Sequence, residues 1–83
     1  MPTLNSIDSA KVKTIIQRVS GITAAAEEAD LADLGVKSID MLRIVGNIES
    51  EFAIEFDGTH LTREHFNSVR SICSVIQLAR NEE

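Results

Sequence analysis

An all-α fold, a small four-helix bundle of three main helices and one short one with a long loop after the first, follows from three features of the sequence. Apolar residues recur at helical spacing in three separate stretches. The one stretch that alternates like a strand has no second strand to pair with. The length of 83 residues gives one core, and folding at that size buries only about 60–65% of the surface the unfolded chain exposes. The core and any site therefore share few residues, and a deep pocket is not expected.

The first helix is predicted to start at Asp8 as N-cap, with Ile7 stapled onto Val12. Val12, Ile15, Ile16 and Val19 then form an apolar stripe opposite Lys11, Lys13, Gln17 and Arg18, and Ser20-Gly21 is a stop, since glycine accepts the left-handed conformation that closes a helix. Residues 22–37 lack a clean period. The Ala-rich, acidic start of this segment (Ala24 to Glu28) predicts a turn of helix, and Leu31, Leu34 and Val36 are expected to pin the loop to the core. Long ordered loops in small domains are often functional. The strongest periodicity begins at Ser38: Met41, Ile44, Val45, Ile48 and Phe52 fall within about a 100° arc, the width of a core-facing stripe. Nearly opposite lie Ile39, Leu42, Arg43, Gly46 and Ser50, a face of exposed apolar groups, one cation and small residues that does not read as a plain solvated surface. Residues 52–56 alternate, but without a partner strand they read as an extended loop packing Ile54 and Phe56 inward. Asp57-Gly58 is a turn signal, residues 62–66 allow one short helical turn, and Asn67 or Ser68 caps a last helix with Val69, Ile72, Cys73 and Ile76 on one face. The tail from Arg80 is expected to fray. There is no internal repeat, low-complexity tract or linker, so residues 1–83 read as a single domain with an ordered core of about 5–79.

Composition narrows the function. A net charge of −5 with 25% charged residues is acidic but too balanced for a disordered chain, and it argues against nucleic acid, whose binding rests on Lys and Arg neutralising phosphates. No apolar run approaches a membrane span, and the N-terminal Met1-Pro2-Thr3-Leu4-Asn5 lacks the pattern of a signal peptide. One cysteine makes no internal disulfide, so a reducing cytoplasm is the expected location. Nine of the thirteen acids lie between Glu27 and Asp57, opposed only by Lys37 and Arg43, which leaves −7 there and +2 elsewhere. Such a segment is either a docking surface that steers basic partners or a solvated acidic face. No metal set is expected: His60 and His65 are five apart and off one helix face, and the lone cysteine adds no zinc spacing. Both histidines read as surface or loop-packing residues, and Cys73 as a core residue rather than a nucleophile. With no cleft to hold substrate, an autonomous enzyme is not expected.

The segment 31–42 carries more information. An aspartate (Asp33), a glycine two residues on (Gly35), a serine three further (Ser38), an aliphatic neighbour (Ile39) and a leucine three beyond (Leu42) place a hydroxyl between a glycine-bearing loop and an amphipathic helix. This resembles the attachment motif of the acyl and peptidyl carrier proteins. Nearly the whole chain follows suit, with Glu49-Ser50-Glu51-Phe52, the exit Ile54-Glu55-Phe56, and Asn67-Ser68-Val69 before the last helix. The resemblance implies an acyl-carrier-protein-like fold and 4′-phosphopantetheine, supplied from coenzyme A by a phosphopantetheinyl transferase and attached covalently at Ser38. It implies a non-catalytic carrier that shuttles acyl or aminoacyl thioesters between loading and condensing or transferring enzymes. The partner-docking residues it implies are Asp33, Lys37, Ile39, Asp40, Leu42, Arg43, Gly46 and Ser50. Physical chemistry agrees with the placement: a serine at a helix N-cap sits at the rim, and an anion attached there faces the positive end of the helix dipole and its free N–H groups.

Three departures from the carrier pattern point to a specialised pathway (polyketide, nonribosomal peptide, aminoacyl transfer or unusual lipid) over general fatty-acid synthesis. Lys37 stands where an acidic residue or a Gly-His pair is usual, and is expected to pair with the arm's phosphate. Arg43 replaces an acid typical of fatty-acid carriers, and Gly46 replaces an apolar contact residue. The general fatty-acid carrier and an unmodified helical interaction module that kept the fold and lost the arm are the alternatives. Met1 and the polar tail fit a free-standing protein, and an excised domain given a start codon would look the same; a monomer is expected.

Overall fold

In the computed structural model, which describes residues 6–24 and 26–81, three helices enclose one apolar core. Helix α1 spans Ser6–Ser20, α2 Ser38–Phe52 and α3 Val69–Asn81, with a single 3-10 turn at Arg63–His65 before α3. The predicted architecture of three main helices and a short one is therefore found, and α1 packs against both α2 and α3.

The apolar stripes read from the sequence meet at the centre. Val12, Ile16, Ile44, Ile48, Val69, Ile72 and Ile76 are all fully shielded from solvent. Burying each such side chain is worth roughly 1.5–3 kcal/mol, which is why the period-3.6 pattern dominates the fold. Met41, Val45 and Phe52 are half-buried and pack on this cluster from the edge. Phe52 lies between two cations, with Lys11 Nζ 5.6 Å and the Arg80 guanidinium 5.8 Å from its ring centroid.

The predicted start of α1 needs correction. The helix begins two residues before Asp8, so Asp8 lies within its first turn, buried, with Arg80 Nη1 3.4 Å from its carboxylate. The Ile7 staple fails because Ile7 is 67% exposed while Val12 is in the core. The other end behaves as read: Gly21 has φ +77° and its N–H donates to Gln17 O at 2.8 Å. The same Arg80–Asp8 contact corrects the frayed tail, since α3 runs through Asn81 and Arg80 is tied to α1. The start of the ordered core at residue 5, the N-terminal segment of residues 1–5 and the final two residues of the tail lie outside the described residues.

The long loop is held by its backbone and by two carboxylates. Ala29 N–H donates to Ala26 O at 3.3 Å, giving one turn after Ala25, which lies outside the described residues. Ser9 Oγ donates to Glu27 at 2.6 Å, and Arg70 Nε donates to Glu28 at 3.0 Å, tying the loop to α1 and to the start of α3. Arg70 N–H to Glu27 O (3.0 Å) and Leu31 N–H to Asn67 O (2.8 Å) complete the seam. Leu31 and Val36 are buried as predicted, but Leu34 is 40% exposed. Asp30 Oδ1 accepts the Ala32 and Asp33 N–H groups and Val36 N–H closes on Leu31 O, so residues 31–35 form one tight turn that points Leu34 outward.

After α2 the chain turns through Ala53, whose φ of +53° is left-handed. Its N–H and that of Ile54 both donate to Glu49 O. The following segment, residues 54–57, is irregular, with Ile54 and Phe56 buried as expected, and Phe56 meets Phe66 edge-on at 5.3 Å. Of the two candidate caps for α3, Ser68 acts: its Oγ accepts the Ser71 N–H at 3.1 Å.

Candidate functional site

The turn 31–35 and the N-terminus of α2 present the serine singled out in the sequence. Gly35 has φ +103°, a conformation costing an L-residue roughly 1–2 kcal/mol, and a Cβ there would lie 3.4 Å from Ile22 Cδ1. The glycine lets the chain reverse between Leu34 and Val36, and buried Val36 anchors the loop just before the helix. Lys37, extended at φ −89° and ψ 163°, then takes the N-cap position, so Ser38 is the first helical residue rather than the cap predicted for it. The change matters chemically. A capping hydroxyl is occupied by an amide of the first turn, whereas the exposed Ser38 side chain makes no hydrogen bond with the described residues. No side chain caps α2, which leaves its first amides and the positive end of its dipole without a side-chain partner at the end where Ser38 stands. Asp40 lies in this first turn, where a carboxylate is favoured.

The face beside Ser38 is apolar and open. Leu42 is 74% and Ile39 59% exposed. Arg43, Gly46 and Ser50 extend this face along α2, all exposed, and no heavy atom lies within 4 Å of where a Gly46 Cβ would be. Of the docking residues implied by the resemblance, Ile39, Leu42, Arg43, Gly46 and Ser50 share this stripe, with exposed Lys37 at its N-terminal end, while Asp33 is exposed in the turn 31–35. Asp40, half-buried, lies about 100° round the helix from Ile39. Leu34, expected in the core, is exposed instead. The signal for it is Asp30, whose carboxylate two and three residues before Ala32 and Asp33 marks a capped turn.

Charge is distributed differently from the sequence count. Glu28 pairs with Arg70, whose hydrogen bonds and charge hold that carboxyl below the ordinary range. Glu51 pairs with Lys11 at 3.6 Å, and Glu49 Oε2 accepts the Phe56 N–H at 2.8 Å. Asp57 accepts from Thr59 Oγ1 and N–H, which lowers its carboxyl as well. Much of the acidic excess is thus engaged inside the fold. Lys37 and Arg43, by contrast, have no ion pair with the described residues.

The other candidates fall out as expected of packing residues. His60 is buried, its Nδ1 accepting the Asp57 N–H at 3.1 Å and its ring edge-on to Phe56. His65 Nδ1 sits 2.9 Å from His60 O. No cluster of metal-ligating side chains occurs among the described residues. Cys73 is buried, and desolvation pushes its thiol up to about 11. A groove of about 200 Å³ between Ala10, Lys11, Thr14, Arg18 and Glu51 lies toward the far end of α2, about 20 Å from Ser38 along the helix. Among the described residues no helix is long and apolar enough to cross a membrane.

Comparison with known proteins agrees with this geometry. The phosphopantetheine attachment site family matches residues 10–76. An acyl carrier protein of Thermotoga maritima is 39% identical over 70 residues, covering 81% of this chain and 84% of that protein. Aminoacyl carrier protein 1 of Bradyrhizobium diazoefficiens is 30% identical over 61 residues, covering 74% and 68%. A crystal structure of an engineered Bradyrhizobium japonicum glycine:carrier protein ligase, complexed with carrier protein from Agrobacterium tumefaciens and ATP, contains a chain that superposes with a TM-score of 0.78 at 28% identity, covering 86% of this chain and 97% of that one. The chain therefore belongs to the phosphopantetheine attachment site family, as a carrier of acyl or aminoacyl groups on covalently attached 4′-phosphopantetheine.

Proposed function

We propose that Ser38 is the attachment residue and that the chain is a non-catalytic carrier dedicated to a specialised pathway, with aminoacyl transfer the chemistry best supported. The observation that carries the assignment is the exposed Ser38 hydroxyl, unbonded at the first position of an uncapped helix. The residues around it fit the group. The Oγ is accessible to a transferase, the free amides and dipole of α2 favour an attached phosphodiester anion, and Lys37 adds a neighbouring positive charge. When bound, the arm supplies a terminal thiol that holds cargo as a thioester. This chain's own residues orient the attachment point and present the α2 face to partners. No side chain among the described residues hydrogen-bonds Ser38, so a partner transferase removes its proton, and loading and transfer enzymes do the remaining chemistry.

Lys37 and Arg43 support the specialised reading, as do the aminoacyl carrier relative and the ligase-bound carriers of the same fold. A second glycine:carrier protein ligase structure from Bradyrhizobium japonicum, with its cognate carrier protein, has a TM-score of 0.79 at 23% identity and speaks to the fold only. Buried, unpaired Cys73 is compatible with a reducing cytoplasm.

Loading assays on the phosphopantetheinylated protein test the pathway. Glycine with ATP and a glycine:carrier protein ligase is expected to add an aminoacyl mass that hydroxylamine removes. Malonyl transfer by a fatty-acid malonyltransferase is expected to be slow. Malonylation at the rate of a housekeeping carrier, without aminoacylation, would assign the chain to fatty-acid synthesis instead.

A further inference from the structure

We infer that the enzyme docking on the outward face of α2 meets it with an apolar socket for Leu42 and Ile39 and a carboxylate for Arg43, not with the basic surface that the chain's net charge of −5 would attract. The inference rests on the carrier reading of Ser38 and names the partner chemistry of the same site. Within the stripe of Ile39, Leu42, Arg43, Gly46 and Ser50, Arg43 is the one charged side chain. Two of the remaining charges of α2 are engaged. Glu51 pairs with Lys11 and Glu49 accepts the Phe56 N–H, while half-buried Asp40 lies about 60° round the helix from Arg43 and makes no ion pair with it.

Arg43 also differs from three other arginines, whose side chains are engaged. Arg18 reaches Asn47 Oδ1 at 3.5 Å, Arg70 holds Glu28, and Arg80 reaches Asp8 at 3.4 Å. The Arg43 guanidinium has no hydrogen bond or ion pair among the described residues. It stands beside Gly46, one turn on, where no Cβ projects and a partner backbone can come close. A guanidinium next to 74%-exposed Leu42 is a donor fork set into an apolar patch, and a carboxylate is the group whose geometry and charge match it. Leu42 and Ile39 supply burial, and the charge pair supplies register and discrimination between partners.

The test uses two synthetic helical peptides with the same leucine and phenylalanine anchors, flanked in one by glutamates and in the other by lysines. Each is titrated at low salt into the 15N-labelled, phosphopantetheinylated protein. The glutamate peptide is expected to shift the Ile39, Leu42, Arg43 and Gly46 amides and to bind about fivefold more tightly than the lysine peptide, the ratio one exposed ion pair supports. Arg43→Glu, at an exposed position, is expected to reverse the order. Preference of the wild-type for the lysine peptide, an order unchanged in Arg43→Glu, or no shift on this face with either peptide overturns the inference. The mass of the labelled protein reports the arm on Ser38 independently, so a failed carrier assignment is distinguished from a wrong partner chemistry.

Discussion

A serine that caps a helix has its hydroxyl committed to an amide of the first turn; a serine one position later does not. Ser38 occupies the later position because Lys37, extended and without an acceptor in its side chain, takes the cap. Its spacing from Gly35 and Leu42 made Ser38 legible as the proposed attachment residue, but the sequence misplaced it by one position, because Ser is a strong capping residue and Lys is not. Gly46 shows a compromise at the same scale. It sits in the interior of an exposed helix face with no atom within 4 Å of where a methyl group would project, so nothing in the fold requires a glycine there. Gly46→Ala is expected to raise stability by about 1 kcal/mol, the helix-propensity difference between the two residues, read from the urea midpoint at constant m-value. A neutral or destabilising result would mean that the glycine has a role within the fold.

At the scale of elements, periodicity located α2 and α3 well, since each has a continuous stripe that the core demands. It failed where electrostatics set the boundary. Asp8 has the look of a cap, yet it lies inside α1 facing Arg80, a contact between residues 72 positions apart that no local pattern signals. Leu34 likewise resembles a core anchor in sequence, but the Asp30 turn rotates it outward. The loop before α2 is fastened to α3 by Glu28 and Arg70, and the sign of its pH response follows. Arg70 lowers the folded-state pKa of Glu28, so this contribution is present above the unfolded value of about 4.3 and is lost as pH falls through the folded one. Glu28→Gln is therefore expected to melt below wild-type at pH 7, by a small margin suited to an exposed pair. The difference should narrow once the pH falls below the unfolded value of about 4.3 and close below the lower folded-state one. Melting curves from pH 7 to 3 check it; a constant difference across that range would contradict the assignment.

For the whole molecule, the all-α architecture was legible because 83 residues admit one core and three helical stripes fill it. The charge pattern was less legible: a count of acids between Glu27 and Asp57 cannot tell which are engaged by Arg70, Lys11 or backbone amides. The core also settles the thiol chemistry. Cys73 is 3% exposed and its thiol is pushed up to about 11, so it is expected to stay silent toward a disulfide reagent at pH 7 in the folded protein. The arm then gives the one fast-reacting thiol per phosphopantetheinylated chain, with a second appearing on denaturation. Rapid reaction of the unmodified folded protein would contradict the burial of Cys73.

The most direct test of the carrier assignment at Ser38 is the intact mass of the purified protein after incubation with coenzyme A and a broad-specificity phosphopantetheinyl transferase, beside Ser38→Ala. The account predicts a gain of one phosphopantetheine in the wild-type and none in the alanine variant. No gain in the wild-type while a known carrier is modified in the same tube, or an equal gain in Ser38→Ala, would contradict it.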